Sequence, residues 1–196
     1  MPEDAQLSDP DGVFLVKTAR TAVTEFLSNG KRIKLESESE KKFSLNAGVF
    51  VTLNNADGLR GCIGFPMPDK KLSHGIIDAA IAAATEDPRF SPVKINELNN
   101  IVFEVTVLTP PVEITVTDPM EYLEKIKVGR DGLIIRNSFS SGLLLPQVPV
   151  EYDWNVEEFL QHTCEKAGLE KDTWKNEKVK IEKFEGIVYK EETNGN

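Results

Sequence analysis

Arg60 and Cys62 stand two residues apart in the hexapeptide Leu59-Arg60-Gly61-Cys62-Ile63-Gly64. In an extended chain alternate side chains share a face, so Arg60, Cys62 and Gly64 project to one side and Leu59, Gly61 and Ile63 to the other. A guanidinium beside a thiol favours the thiolate, the nucleophilic form. That makes Cys62 a candidate nucleophile or redox thiol and Arg60 its stabiliser. Gly61 and Gly64 let a ligand or another backbone come close, which makes them candidate ligand-binding positions. The competing reading is structural. Cysteine commonly behaves as a small buried hydrophobe, and Arg60 could equally pair with Glu104.

Glu104 lies in Asn100 to Leu108, where Ile101, Phe103, Val105 and Val107 alternate with Val102, Glu104, Thr106 and Leu108. Both faces are mostly apolar, which predicts a central strand covered on both sides with Glu104 buried on one of them. Glu104 is therefore a candidate general acid or base, or a structural partner of Arg60 or Arg89. Arg89, in Asp87-Pro88-Arg89-Phe90, and Arg130, in Gly129-Arg130-Asp131-Gly132, are candidates to bind an anionic substrate through bidentate contacts. The alternative for both is a surface arginine that ties loops together.

The remaining chemistry-bearing residues point elsewhere. His162 and Cys164, two apart on a helix, diverge by about 200°, so they do not ligate one metal together. A zinc site from Cys62, Cys164, His74 and His162 would lack paired-ligand spacing, and no metal is expected. Nucleotide-binding glycine loops, HExxH and GxSxG are all missing, so no cofactor is expected either.

Elements must position these residues. Val16, Ala19, Val23, Phe26 and Leu27 recur at helical spacing, with Ser8 or Asp9 as N-cap and Gly30 as stop, which predicts a helix over about residues 10–28. Lys31 to Lys42 reads as a solvated connector or a charged helix end. The runs GVFVTL and LRGCIGF flank Asn54 to Gly58 and predict a hairpin. A helix follows over Lys70 to Glu86, ended by Pro88. Beyond the strand containing Glu104, Glu113 to Thr117 reads as a short strand and Asp118-Pro119 as a helix start. Two strands then follow glycine turns, and Asp153 caps a helix ending at Gly168. A last strand, Val179 to Tyr189, is interrupted near Gly186. Hairpins with irregularly interspersed helices predict an α+β fold with a mainly antiparallel sheet and flanking helices.

Composition narrows the function classes. The chain has 196 residues, 40% hydrophobic and 28% charged, with a formal net charge of −9 and no basic segment. A chain of this size buries roughly 70% of the surface that its unfolded form exposes, enough for a core without disulfides or metal. Nucleic-acid binding and anionic membranes are disfavoured for want of a Lys/Arg field. The N-terminus lacks the apolar core of a secretory signal, and Ile76 to Ala84 is too short to span a bilayer. A cytoplasmic location is expected, with Cys62 and Cys164 as free thiols.

The hexapeptide LRGCIG resembles the signature of the AMME-syndrome candidate protein family, whose unit is the AMMECR-type domain. GVFVTL, DPRFSPV, EVTVLTPP, GRDGLII, SGLLLPQVPVEYDW and CEKAGL agree in the same order. The similarity covers about residues 10–190, so residues 1–196 are expected to hold a single AMMECR-type domain without a readable internal boundary. The resemblance implies two unequal lobes with the hexapeptide near the cleft between them. Through the gene neighbours and fusions of prokaryotic members, it also implies Memo-like or radical-SAM pathway partners. It supplies no reaction.

Two functions follow. One is an enzyme or enzyme subunit in a modification pathway, acting on a small molecule or a modified nucleotide or protein group, with Cys62, Arg60 and Glu104 in its cleft. The other is a non-catalytic binding or scaffold module for an RNA or protein partner.

Overall fold

The computed structural model describes residues 7–176 and 179–192. Residues 1–6, on which the reading of the N-terminus partly rests, lie outside them. The chain divides into two compact units. One runs to Leu108 and takes up the chain again at Ile187, and the other is Thr109–Gly186.

In the first unit, α1 (Asp9–Asn29) starts at Ser8, whose N–H and hydroxyl both donate to the Asp11 carboxylate at 3.0 and 2.7 Å. It stops at Gly30, which takes the left-handed conformation with φ 71°. Leu15, Val16, Ala19, Ala22 and Val23 form its buried stripe. The charged segment after it ends in the short helix α2 (Ser37–Lys42). Helix α3 (Leu72–Thr85) is apolar on most sides, with Ile76, Ile77, Ala79, Ala80 and Ile81 all buried. A helix buried all round must have partners on every side, and α3 packs on α1 and on the hairpin of β1 (Val49–Asn55) and β2 (Gly58–Phe65).

Strand β3 (Val102–Leu108) pairs antiparallel with β1, which leaves β2 at the edge. Val49, Val51, Leu53, Phe103, Val105 and Val107 make the inner face, under α1 and α3, and all are buried. The opposite face is less covered than its apolar pattern predicts, because Phe50, Thr52, Cys62, Glu104 and Thr106 on it are only half-buried. Arg20 closes this unit. Its guanidinium lies 4.6 Å from the centre of the Phe103 ring and donates to Leu98 O, Ile101 O and Glu191 Oε2 at 3.1, 2.6 and 2.6 Å.

In the second unit, the part of β7 (Lys180–Lys190) up to Gly186 is flanked by β4 (Val112–Glu113) and β5 (Asp131–Arg136), and β5 by β6 (Ser141–Leu144), all antiparallel. Around them are α4 (Tyr122–Lys125), α5 (Gln147–Glu151) and α6 (Val156–Lys166). The core gathers Leu133, Ile135, Phe159, Leu160, Cys164, Trp174 and Ile181.

The second unit departs from the sequence pattern at four points. Strand β4 covers only two residues. Helix α5 contains Pro149, yet it lies within the first turn, where its missing N–H would have no helical partner anyway. The cap of α6 is Asn155 rather than Asp153. Asn155 Oδ1 accepts from Glu158 N at 3.0 Å while Glu158 returns a bond to Asn155 N, and Asp153 sits in the preceding turn with φ 54°. Strand β7 runs through Gly186 without a break, although the division between the units falls there. Among the described residues no helix is long and apolar enough to cross a membrane.

Candidate functional site

The hexapeptide lies on β2, opposite β1 and against the end of α3. Thr52 on β1 pairs with Cys62 on one side and with Glu104 of β3 on the other. Directly paired residues point to the same side of a sheet, so Cys62, Thr52 and Glu104 form a row on the half-buried face. Two strand spacings put the ends of that row about 10 Å apart. The Thr52 hydroxyl donates to Cys62 Sγ at 3.3 Å.

The backbone of Cys62 faces outward from the sheet edge, where its N–H and C=O have no neighbouring strand. The segment after α3 supplies their partners. Pro88 prevents the helix from continuing, and the chain turns with Arg89 N donating to Asp87 Oδ1 at 3.1 Å. Asp87 Oδ2 accepts the Cys62 N–H at 2.8 Å. Arg89 forks onto the same carboxylate through Nε and Nη2 at 3.0 and 2.8 Å, and Nη2 also reaches Cys62 O at 3.4 Å. The Asp87 side chain is only 2% exposed while that of Arg89 is 54% exposed. The Arg89 guanidinium holds the Asp87 carboxyl well below the usual carboxylate range, against the opposing effect of burial, and the Cys62 and Arg89 N–H groups act in the same direction. The hydrogen bond to Asp87 in turn raises the Arg89 guanidinium, with smaller help from the nearby Cys62.

The β1–β2 register shifts at Arg60, which has no partner on β1, so the expected alternation with Cys62 breaks there and Arg60 serves a different partner. Its Nε and Nη2 fork onto Glu97 at 2.9 and 3.2 Å, and its Nη1 donates to Ser91 O at 2.9 Å. The carboxylate it meets is thus Glu97 rather than Glu104, and Arg60 is 14% exposed. The Arg60 contact, followed by the Lys94 N–H, lowers the Glu97 carboxyl. Arg89, not Arg60, is the guanidinium bonded to the Cys62 residue.

Protein fills the space beside both glycines. A Cβ on Gly61 would lie 2.2 Å from the Ala83 carbonyl oxygen, so this glycine serves close packing of α3 on β2. At Gly64 a Cβ would lie 2.3 Å from the Phe50 ring. Arg130 belongs to the second unit. There it pairs with Asp131, whose side chain is fully buried, at 2.7 Å and with Glu185 at 3.3 Å. Burial pushes the Asp131 carboxyl up, but Arg130, the Lys127 N–H and Lys183 outweigh it and the net shift is downward. Cys164 is buried in that unit's core, and burial pushes its thiol up to about 11.

Three site residues escape a sequence reading: Thr52, Asp87 and Glu97. Asp87 carried a usable signal, because an acidic residue next to a helix-ending proline and near an edge strand is suited to accept an otherwise unpaired N–H. Thr52 becomes visible only once the hairpin register is known. Among the described residues no group of three or more His, Cys, Asp and Glu is arranged to hold a metal.

A family model described as AMMECR1 matches residues 16–189. A Pyrococcus abyssi protein is 49% identical over 193 residues, covering 96% of this chain and 94% of its own. One from Methanocaldococcus jannaschii is 52% identical over 183 residues, covering 92% and 90%. The crystal structure of an uncharacterized protein from Pyrococcus horikoshii superposes with a TM-score of 0.76 at 50% identity, covering 95% of this chain and 94% of that one.

Proposed function

Because the chain belongs to the AMMECR1 family, whose matched relatives name no reaction, we propose from its own geometry that it is a thiol-dependent enzyme or enzyme subunit in a modification pathway, with Cys62 as the nucleophile. The observation that carries this reading is the Thr52 hydroxyl donating to Cys62 Sγ on a half-buried sheet face. A donor aimed at sulfur stabilises negative charge there. Arg89 adds a half-exposed guanidinium whose Nε and Nη2 are taken by Asp87. Its Nη1 can meet an anionic group on a small-molecule or macromolecular substrate beside the thiol. Glu104, at the far end of the row, is the carboxylate assigned to proton transfer. Arg60 is a positioning residue that holds β2 to the Ser91–Glu97 segment.

A second reading, a non-catalytic binding or scaffold module, is favoured by one observation. Arg60, Asp87, Arg89 and Glu97 bond one another or the backbone, so much of the signature chemistry is used within the fold.

Competitive alkylation of the native protein with iodoacetamide, resolving each cysteine by mass spectrometry, separates the two through its variants, since burial alone already slows Cys164. On the enzyme reading Cys62 reacts at least about tenfold faster than Cys164 at neutral pH, and Thr52→Val and Arg89→Gln each slow Cys62 without changing Cys164. If Cys62 is no faster than Cys164, or if both variants leave its rate unchanged, the binding-module reading takes its place.

A further inference from the structure

Three rings stack on the surface of the second unit. Tyr152 lies on Trp154 with centroids 5.0 Å apart and planes 18° from parallel, and Trp154 lies on His162 at 3.8 Å and 20°. The turn after α5 builds the stack. Trp154 N donates to Pro149 O at 2.8 Å, and the left-handed Asp153 between the two aromatic residues lets both rings come to the same side. Trp154 packs against the core of the unit, and His162 is held by Glu165 at 2.7 Å from Nδ1. Trp154 and His162 are therefore held in place before anything binds, which lowers the cost of using the stack. Its outer end is open: Tyr152 has Trp154 on one face and remains 65% exposed.

Charge selects what that open face would take. Glu151 and Asp153 flank Tyr152, and both are exposed without an ion pair among the described residues. Arg130, also in this unit, is occupied by Asp131 and Glu185. Two exposed acidic residues on either side of Tyr152 in the chain disfavour a phosphate backbone there. A guanidinium, in contrast, can lie flat on an aromatic face and pair with a carboxylate in the same pose, which an ammonium does less well.

We propose that the Tyr152–Trp154–His162 stack and its carboxylate rim form a docking site for an arginine-bearing basic segment of a partner protein. One arginine stacks on the open face of Tyr152, and its donors meet Glu151 and Asp153. The site does not rest on the thiol chemistry of Cys62.

Fluorescence anisotropy tests this on the full chain, with three labelled probes at low salt: a short peptide of alternating arginine and glycine, the same peptide with citrulline for arginine, and a single-stranded RNA of equal length. The arginine peptide is expected to bind saturably, and the citrulline peptide about tenfold more weakly. Tyr152→Ala and the double variant Glu151→Gln, Asp153→Asn should each weaken the arginine peptide by a similar factor. Phe139→Ala, which removes a ring 97% exposed elsewhere in this unit, should leave binding unchanged and so exclude general stickiness. The assignment is overturned if the arginine peptide shows no saturable binding, if Tyr152→Ala and the double variant both bind like wild type, if Phe139→Ala weakens binding as much as they do, or if the RNA binds more tightly than the peptide.

Discussion

Gly61→Ala lowers the melting temperature by about 6–12 °C, corresponding to about 3 kcal/mol in a chain of this size. The added methyl has nowhere to go. It would stand 2.2 Å from the carbonyl oxygen of Ala83, a backbone atom of α3 that no side-chain rotation can clear. The strand and the helix must therefore separate, and α3 is the most apolar helix of the first unit, packed on both strands of the hairpin. A thermal melt of the variant checks this. A midpoint within about 2 °C of wild type would mean that the helix yields easily, and the close packing assigned to this glycine would be wrong.

Asp87→Ala costs about 2–3 kcal/mol through a different mechanism. The side chain is buried, and it satisfies an edge-strand N–H as well as both forks of Arg89. Removing it leaves the Cys62 N–H without an acceptor. Arg89 is half-exposed and can turn to water, so the loss stays below that of a fully buried ion pair. Asp87→Asn keeps an acceptor for Cys62 and should cost about half as much. The pH dependence has a definite sign. The folded carboxyl lies below its unfolded value of 3.8, so its contribution is fully present above that value and is lost as pH falls toward the folded one. Denaturation of wild type and Asp87→Ala should therefore differ most above about pH 5, and the gap should narrow steadily as pH falls from about 4 to 2. A constant difference down to pH 2 would mean that Asp87 does not act through its charge.

These two residues show what a sequence can and cannot disclose. The helices and the hairpin were legible because their apolar residues keep one period over long runs, as in Leu15 to Val23 and Val49 to Leu53. Cys62 and Gly64 sharing a face follows from strand alternation alone, whereas the irregularity that leaves Arg60 without a partner on β1 is not legible in the spacing. The partner of Arg60 was not legible, because Glu97 lies 37 positions away and is brought in by the turn after α3. Asp153 and Asn155 are both good cap residues, and the choice between them depends on a left-handed turn that composition does not dictate. The alternation around Glu104 suffices to put it on a strand, but its degree of burial depends on what lies over that face, which alternation does not reveal. The motifs LRGCIG and DPRFSPV, read as separate signals, are bonded to each other at Cys62 and Asp87, which gives a physical reason for them to occur together.

The first unit is interrupted in sequence by the second. The chain leaves after Leu108 and re-enters at Ile187, and near the two crossings Thr109 N donates to Glu185 O while Glu185 N donates to the Thr109 hydroxyl, each at 2.8 Å. During synthesis, the residues up to Leu108 emerge from the ribosome with α1, α3 and the hairpin present but with Arg20 lacking Glu191. The inserted unit is released and can fold before that clamp closes. Residues from Ile187 on therefore complete the unit that the residues before Thr109 begin, and a truncation after Gly186 should keep residues 180–185 paired with β5 while the host unit stays open at Arg20.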